Sequence, residues 1–157
     1  MAITKLPPVG HVGIVVADMD KALAELRDVY GLPGLDATYS FKPMRVWAWG
    51  REIDGCAIKI CMTDWIDGLK MEILQPMFGE IEHERFVRET GGGMHHTAYY
   101  VKEYEEYREF ILAKGGEIIF ESETEDEVRG YRRCCYARFP ETKMIVEILE
   151  TAWFRNK

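Results

Sequence analysis

The chain has 157 residues, 47% hydrophobic and 30% charged, which excludes global disorder and suits one compact domain over 1–157. Against 20 Lys and Arg stand 27 Asp and Glu, a formal charge of −7 that repels polyphosphate, so no nucleic-acid partner is expected. Apolar runs are only a few residues long and residues 1–8 (MAITKLPP) lack a hydrophobic signal core, so neither a membrane partner nor a secretory leader is expected, and a cytoplasmic location is.

The first element is a β-type run, His11 to Val16. Asp20 to Tyr30 follows as an amphipathic helix with Leu23, Leu26, Val29 and Tyr30 on one stripe, stopped at Gly31. Four strand-like runs come next, at 36–41, 44–49, 56–62 and 69–74, separated by Lys42-Pro43, Asp54-Gly55 and Asp67-Gly68 turn signals. Residues 79–90 read as a charged connecting helix that leaves His83 solvated. The Gly91-Gly92-Gly93 run reads as a loop and hinge, because a phosphate cradle places its glycines before a helix and here a strand follows.

The second half repeats the first. His96 to Val101 aligns with His11 to Val16 at an offset of 85, and each histidine has a small residue, Gly13 or Ala98, two places on. A helix over 104–113, with Tyr107, Phe110 and Ile111 on its apolar side, precedes Gly116; strands over 117–121, 131–139 and 144–150 complete the set. The acidic stretch 121–127 is expected as a solvated loop. The order β-α-β-β-β thus occurs twice. Cys56, Cys61, Cys134 and Cys135 lack metal-site spacing and read as free thiols, the adjacent pair on opposite faces of a strand.

Alternation puts Glu147 on one face with Ile145 and Leu149, where a carboxylate must be neutral, paired or bound to a cation. Glu72 occupies a similar apolar strand, Met71 to Leu74. Duplication therefore supplies His11, Glu72, His96 and Glu147 as two matching pairs, a nitrogen and oxygen donor set suited to one divalent ion with positions left for water or substrate. Gly13 and Ala98 are expected to leave room for that ion. A lone strand-opening histidine is more often a boundary residue, so the duplication carries the argument. His95 is expected on the opposite face from His96, satisfied by a backbone or core group.

In these segments, notably His11 to Asp20, Met71 to Pro76, Gly91 to Val101 and Val146 to Ile148, the chain resembles the vicinal oxygen chelate (glyoxalase, bleomycin resistance, dioxygenase) superfamily, most closely its methylmalonyl-CoA epimerase branch. The resemblance covers about residues 8–152. It implies an α+β fold of two tandem βαβββ modules, about 8–76 and 94–152, forming a curved mixed sheet around a metal-binding cavity, and a homodimer. It implies one divalent metal (Co, Ni, Mn, Zn or Fe) on His11, Glu72, His96 and Glu147. The implied activity is an epimerase or isomerase working through a metal-stabilised enolate on an acyl-CoA such as methylmalonyl-CoA, with Glu147 as base and Glu72 returning the proton. A lactoylglutathione lyase like glyoxalase I, an extradiol dioxygenase and a non-catalytic small-molecule binding or resistance protein are the alternatives. In one respect the chain departs from the epimerases, which carry a second acidic residue in the third strand: the matching place here is Lys59, an anion-binding group if it faces the cavity. Trp47, Trp49, Trp65, Tyr99 and Tyr100 are candidates for an apolar lining, and Arg45, Arg51, Arg132 and Arg133 for anion contacts.

Overall fold

The computed structural model describes residues 2–150; residues 151–152 of the expected second module lie outside them. The elements run β1 (His11–Val16), α1 (Met19–Tyr30), β2 (Tyr39–Phe41), β3 (Arg45–Ala48), β4 (Arg51–Ile53), β5 (Ala57–Met62), β6 (Lys70–Phe78), α2 (Glu82–Thr90), β7 (Gly92–Val101), α3 (Tyr104–Ala113), β8 (Glu117–Asp126), β9 (Gly130–Arg138) and β10 (Ile145–Glu150). All these strands join one curved mixed sheet in the order β2-β5-β6-β1-β7-β10-β9-β8-β3-β4. Each half contributes four adjoining strands, and the halves meet at the antiparallel pair β1 and β7. Parallel pairs flank that seam, β6 beside β1 and β10 beside β7. This is the expected tandem βαβββ architecture.

One hairpin departs from it. The run at 44–49 is expected in the first half's sheet, yet β3 pairs with β8 of the second half, Val46 opposite Ser122 and Trp47 opposite Glu121. The β3–β4 hairpin is an insertion between β2 and β5 that crosses to the far edge, where Val46 enters the core cluster of Phe120 and Ile119. Its β4 strand had no signal in the sequence. The expected acidic loop at 121–127 is also corrected, because β8 runs on to Asp126. There Ser122 is buried against Cys134, and Glu121 meets Arg108 at 2.7 Å.

Three packed clusters hold the sheet in shape. On the convex side, Met19, Leu23 and Leu26 of α1 cover Cys61 and Ile73. Val29 and Tyr30, expected on that stripe, are exposed instead: they lie in the last turn before the Gly31 cap, and the buried stripe is Met19, Leu23 and Leu26. The second convex cluster joins Tyr104 and Ile111 of α3 to Cys135, Val146 and Ile148. The concave cluster contains Ile58, Ile60, Leu74, Phe120, Cys134 and Tyr136. Each fully buried aliphatic side chain contributes about 1.5–3 kcal/mol. All four cysteines are buried and free, and Cys134 and Cys135 do point to opposite faces.

The connecting helix α2 closes one end of the concave side. Ile81, Phe86 and Val87 pack into the core there and carry His83 with them, its ring 5.2 Å from Phe120 and 4.8 Å from Tyr136. His83 is therefore buried, contrary to the solvated position expected from the helix's charge. Burial, helped by nearby His96, lowers its pKa from 6.5 to about 3. The unfolded chain takes up a proton here below pH 6.5 that the folded chain refuses until about pH 3, so this residue makes stability fall as acid is added through that window. The slope is up to about 1.4 kcal/mol per pH unit. Denaturant titrations followed by circular dichroism are expected to show that His83→Leu flattens the acid decline; an unchanged slope would contradict a neutral buried imidazole.

Candidate metal centre

The four central strands of the sheet each deliver one group. β1 and β7, at the seam, carry His11 and His96; the flanking parallel strands β6 and β10 carry Glu72 and Glu147. All four point to the concave side and all are buried. One potential ligand atom from each lies within 4.8 Å of every other.

Cross-strand register explains the small residues beside the histidines. In the antiparallel seam Gly13 stands opposite His96 and Ala98 stands opposite His11. A Cβ on Gly13 would lie 2.0 Å from His96 Cε1. The expected space for an ion is thus space for the other half's imidazole.

The position of His95 is corrected by a bulge. Gly13 pairs with His96 and Ile14 pairs with Met94, which leaves His95 as the extra residue of β7. Strict alternation would send it to the opposite face. The bulge instead turns it into the same buried region, where its Nδ1 lies 3.0 Å from Nδ1 of His96. The outer nitrogen of His11 is bonded likewise, with Nδ1 at 2.8 Å from the Tyr100 hydroxyl. Bonds of this kind fix which ring nitrogen faces inward.

The inward nitrogens are the two Nε2 atoms, 3.4 Å apart. Glu147 Oε2 lies 3.1 Å from His11 Nε2 and 3.2 Å from His96 Nε2; Glu72 Oε1 lies 3.5 and 3.6 Å from the same atoms. A cation with bonds of about 2.0–2.2 Å sets neighbouring ligands about 3.0–3.5 Å apart. Glu72 Oε1 is buried with no hydrogen-bond partner, a costly state that a cation relieves. The residues present therefore fit one divalent ion.

Electrostatics points the same way. Burial alone would lower the pKa of His11, but Glu72 and Glu147 outweigh it and push it up to about 12. His96 is raised by the same carboxylates against its own burial. Burial would raise both glutamates, yet the two imidazoles hold them below the usual carboxylate range. Without a cation, protonated imidazoles and carboxylates neutralise one another. A cation must displace the imidazole protons, so its affinity rises with pH, by about tenfold per pH unit for each proton displaced. Cobalt(II) calorimetry in buffers of different ionisation enthalpy is expected to show proton release on uptake and weaker binding in acid. Uptake that is independent of pH and releases no proton would contradict this arrangement.

Two hollows border Glu72. A small one of about 80 Å³ separates Glu72 and Glu147 from an apolar wall that includes Phe41, Ile58 and Ile60; a wider one of about 320 Å³ opens over His11, Trp65 and Tyr100. Lys59, between Ile58 and Ile60 on β5, is on the other side of the sheet and gives the cavity no anion-binding group. Trp65 and Tyr100 line the site as the sequence allowed, whereas Tyr99 packs under α3 and Trp47 borders a separate surface hollow. Of the four candidate arginines only Arg132 reaches these hollows; Arg45 pairs with Glu52, Arg133 pairs with Glu150 and Arg51 is exposed. Tyr39, Arg129 and Tyr136 border the site without any distinguishing sequence signal. Among the described residues no helix is long and apolar enough to cross a membrane.

Solved structures share this fold at low identity. A methylmalonyl-CoA epimerase from Mycobacterium tuberculosis superposes with a TM-score of 0.63 at 17% identity, over 96% of this chain and 91% of that one. A methylmalonyl-CoA epimerase variant from Streptomyces coelicolor, in complex with 2-nitronate-propionyl-CoA, gives 0.62 at 18%, over 94% and 99%. A hypothetical protein from Bacillus halodurans C-125 gives 0.58 at 20%, over 91% and 93%. Identities this low establish the fold alone. No curated protein matches the sequence. The family model described as the Glyoxalase/Bleomycin resistance protein/Dioxygenase superfamily matches residues 10–136, and its membership together with the His and Glu cluster supports a metal-dependent isomerase or lyase. With most of its length under that model, from the strand of His11 to Tyr136 beside Glu147, the chain belongs to the glyoxalase/bleomycin resistance protein/dioxygenase superfamily.

Proposed function

We propose that the protein moves a proton at the carbon beside a carbonyl group, as an epimerase or isomerase of an acyl-CoA such as methylmalonyl-CoA. The convergence of His11, Glu72, His96 and Glu147 on one buried point carries this reading. A divalent ion held by these residues supplies Lewis acidity, which makes a C–H bond next to a carbonyl easier to deprotonate. Glu147, with Tyr136 beside it and the small hollow in front, is the base that removes the proton. Glu72 borders the same hollow from the other half and returns the proton. The apolar wall of Ile58 and Ile60 flanks the two carboxylates, which reset their protonation with solvent between turnovers.

The test is incubation of one epimer of methylmalonyl-CoA in D₂O with metal-loaded protein. Deuterium at C2, dependent on the metal, is expected; no label with any acyl-CoA would overturn the reading. A second reading is favoured by the apolar β5 wall, which lacks the further acid expected of the epimerases. A lyase like glyoxalase I needs only the two glutamates, and lactoylglutathione formation from methylglyoxal and glutathione would support it. Extradiol cleavage is disfavoured because Glu72 occupies a ligand position that this chemistry leaves open. The expected homodimer belongs to the same reading, and sedimentation velocity checks it.

A further inference from the structure

The mouth of the site carries an unusual concentration of positive charge for a chain of net charge −7. Lys70, Arg129 and Arg132 all border the wider hollow, together with Glu72 and His11. Asp126 builds the turn that places the two arginines. Its Oδ1 accepts from the backbone N–H groups of Val128 at 3.0 Å and Arg129 at 2.6 Å, and its Oδ2 accepts from Arg132 Nη1 at 2.6 Å.

The other two cations have no carboxylate partner among the described residues. Arg129 rests 5.5 Å over the ring of Tyr39, and Lys70 rests 5.1 Å over the ring of Trp65. A cation resting on an aromatic ring is held less strongly than one whose N–H groups donate to a carboxylate. An incoming anion would therefore draw both cations from their rings. Tyr39 belongs to β2 and Arg129 to the β8–β9 turn, so this contact also bridges the two halves across the entrance.

We infer that Arg129, with Lys70 and Arg132, forms an anion subsite for a carboxylate carried by the substrate close to its reacting carbon. The inference rests on the proposed metal-assisted proton transfer and narrows its substrates to acids. Position decides between a carboxylate and a CoA phosphate. Both arginines border the hollows that contain the metal-binding carboxylate Glu72, whereas the phosphates of CoA are separated from the thioester by the whole pantetheine arm.

Calorimetry on cobalt-loaded protein tests this with three probes: methylmalonyl-pantetheine (carboxylate, no phosphate), propionyl-CoA (phosphates, no carboxylate) and malonate (no thioester). Arg129→Gln is expected to weaken methylmalonyl-pantetheine and malonate by about tenfold or more and to leave propionyl-CoA within about twofold. Arg129→Lys is expected to restore part of the loss, and Arg51→Gln, on exposed β4, to change nothing. Unchanged binding of all three probes to Arg129→Gln overturns the subsite, and equal weakening of propionyl-CoA reassigns it to phosphate. Malonate binding that depends on Arg129 while no thioester binds or exchanges deuterium would uphold the subsite and reject the acyl-CoA reading. Deuterium exchange in wild type with no effect of Arg129→Gln on any probe would do the reverse.

Discussion

Glu147→Gln is expected to lower deuterium exchange at the substrate carbon by about 10²–10⁴-fold, the range over which a positioned general base acts. The amide keeps the shape of the side chain and removes its basicity. Metal binding also weakens, because Glu147 Oε2 lies within 3.2 Å of both inward imidazole nitrogens and supplies half of the cluster's negative charge. The comparison is therefore made at metal concentrations that saturate the variant, with occupancy measured directly. Exchange within about threefold of wild type at full occupancy would remove Glu147 from the base role and pass it to Glu72.

Gly13→Ala, which alters no polar group, is expected to damage the centre as severely. The new Cβ would meet Cε1 of His96 at 2.0 Å and its two ring nitrogens at 2.4 Å, far inside the contact distance of about 3.5–4.0 Å between carbon atoms. Gly13 is not among the positive-φ glycines, so the objection is steric alone. The ring must leave its place or the seam between β1 and β7 must open. Overpacking of this kind costs about 1–3 kcal/mol, and a disturbed ligand orientation weakens the metal by about 10–100-fold. Urea denaturation and cobalt(II) affinity check both. A variant that binds cobalt as wild type does would mean that the seam adapts and that the Gly13 to His96 contact does not position the ligand.

The sequence made the tandem repeat and the four metal-site candidates legible because both depend on strand alternation and on matching places in two halves. His11 and Glu147 are isolated from one another by 136 positions, and only the duplication links them. What alternation and local charge could not convey are features set by tertiary pairing. His95 follows a bulge, so parity gave the wrong face. His83 lies in a charged helix whose buried side is decided by the core it plugs. The strand at 45–48 has the pattern of its own half and finds its partner in the other, where Val46 packs into the cluster around Phe120. The small residue at Gly13 is legible in the sequence, but only the antiparallel register shows that its space belongs to the His96 imidazole. Tyr39 and Arg129 are distant in sequence and ordinary in type, and only the curvature of the sheet brings them to one entrance.

Anomalous diffraction from crystals of the cobalt-loaded protein tests the central claim most directly. The account predicts one strong peak per chain at about 2.0–2.2 Å from Nε2 of His11, Nε2 of His96 and a carboxylate oxygen of each of Glu72 and Glu147. A cobalt-saturated crystal with no peak among these four groups, the imidazoles and carboxylates remaining paired to one another, would contradict it.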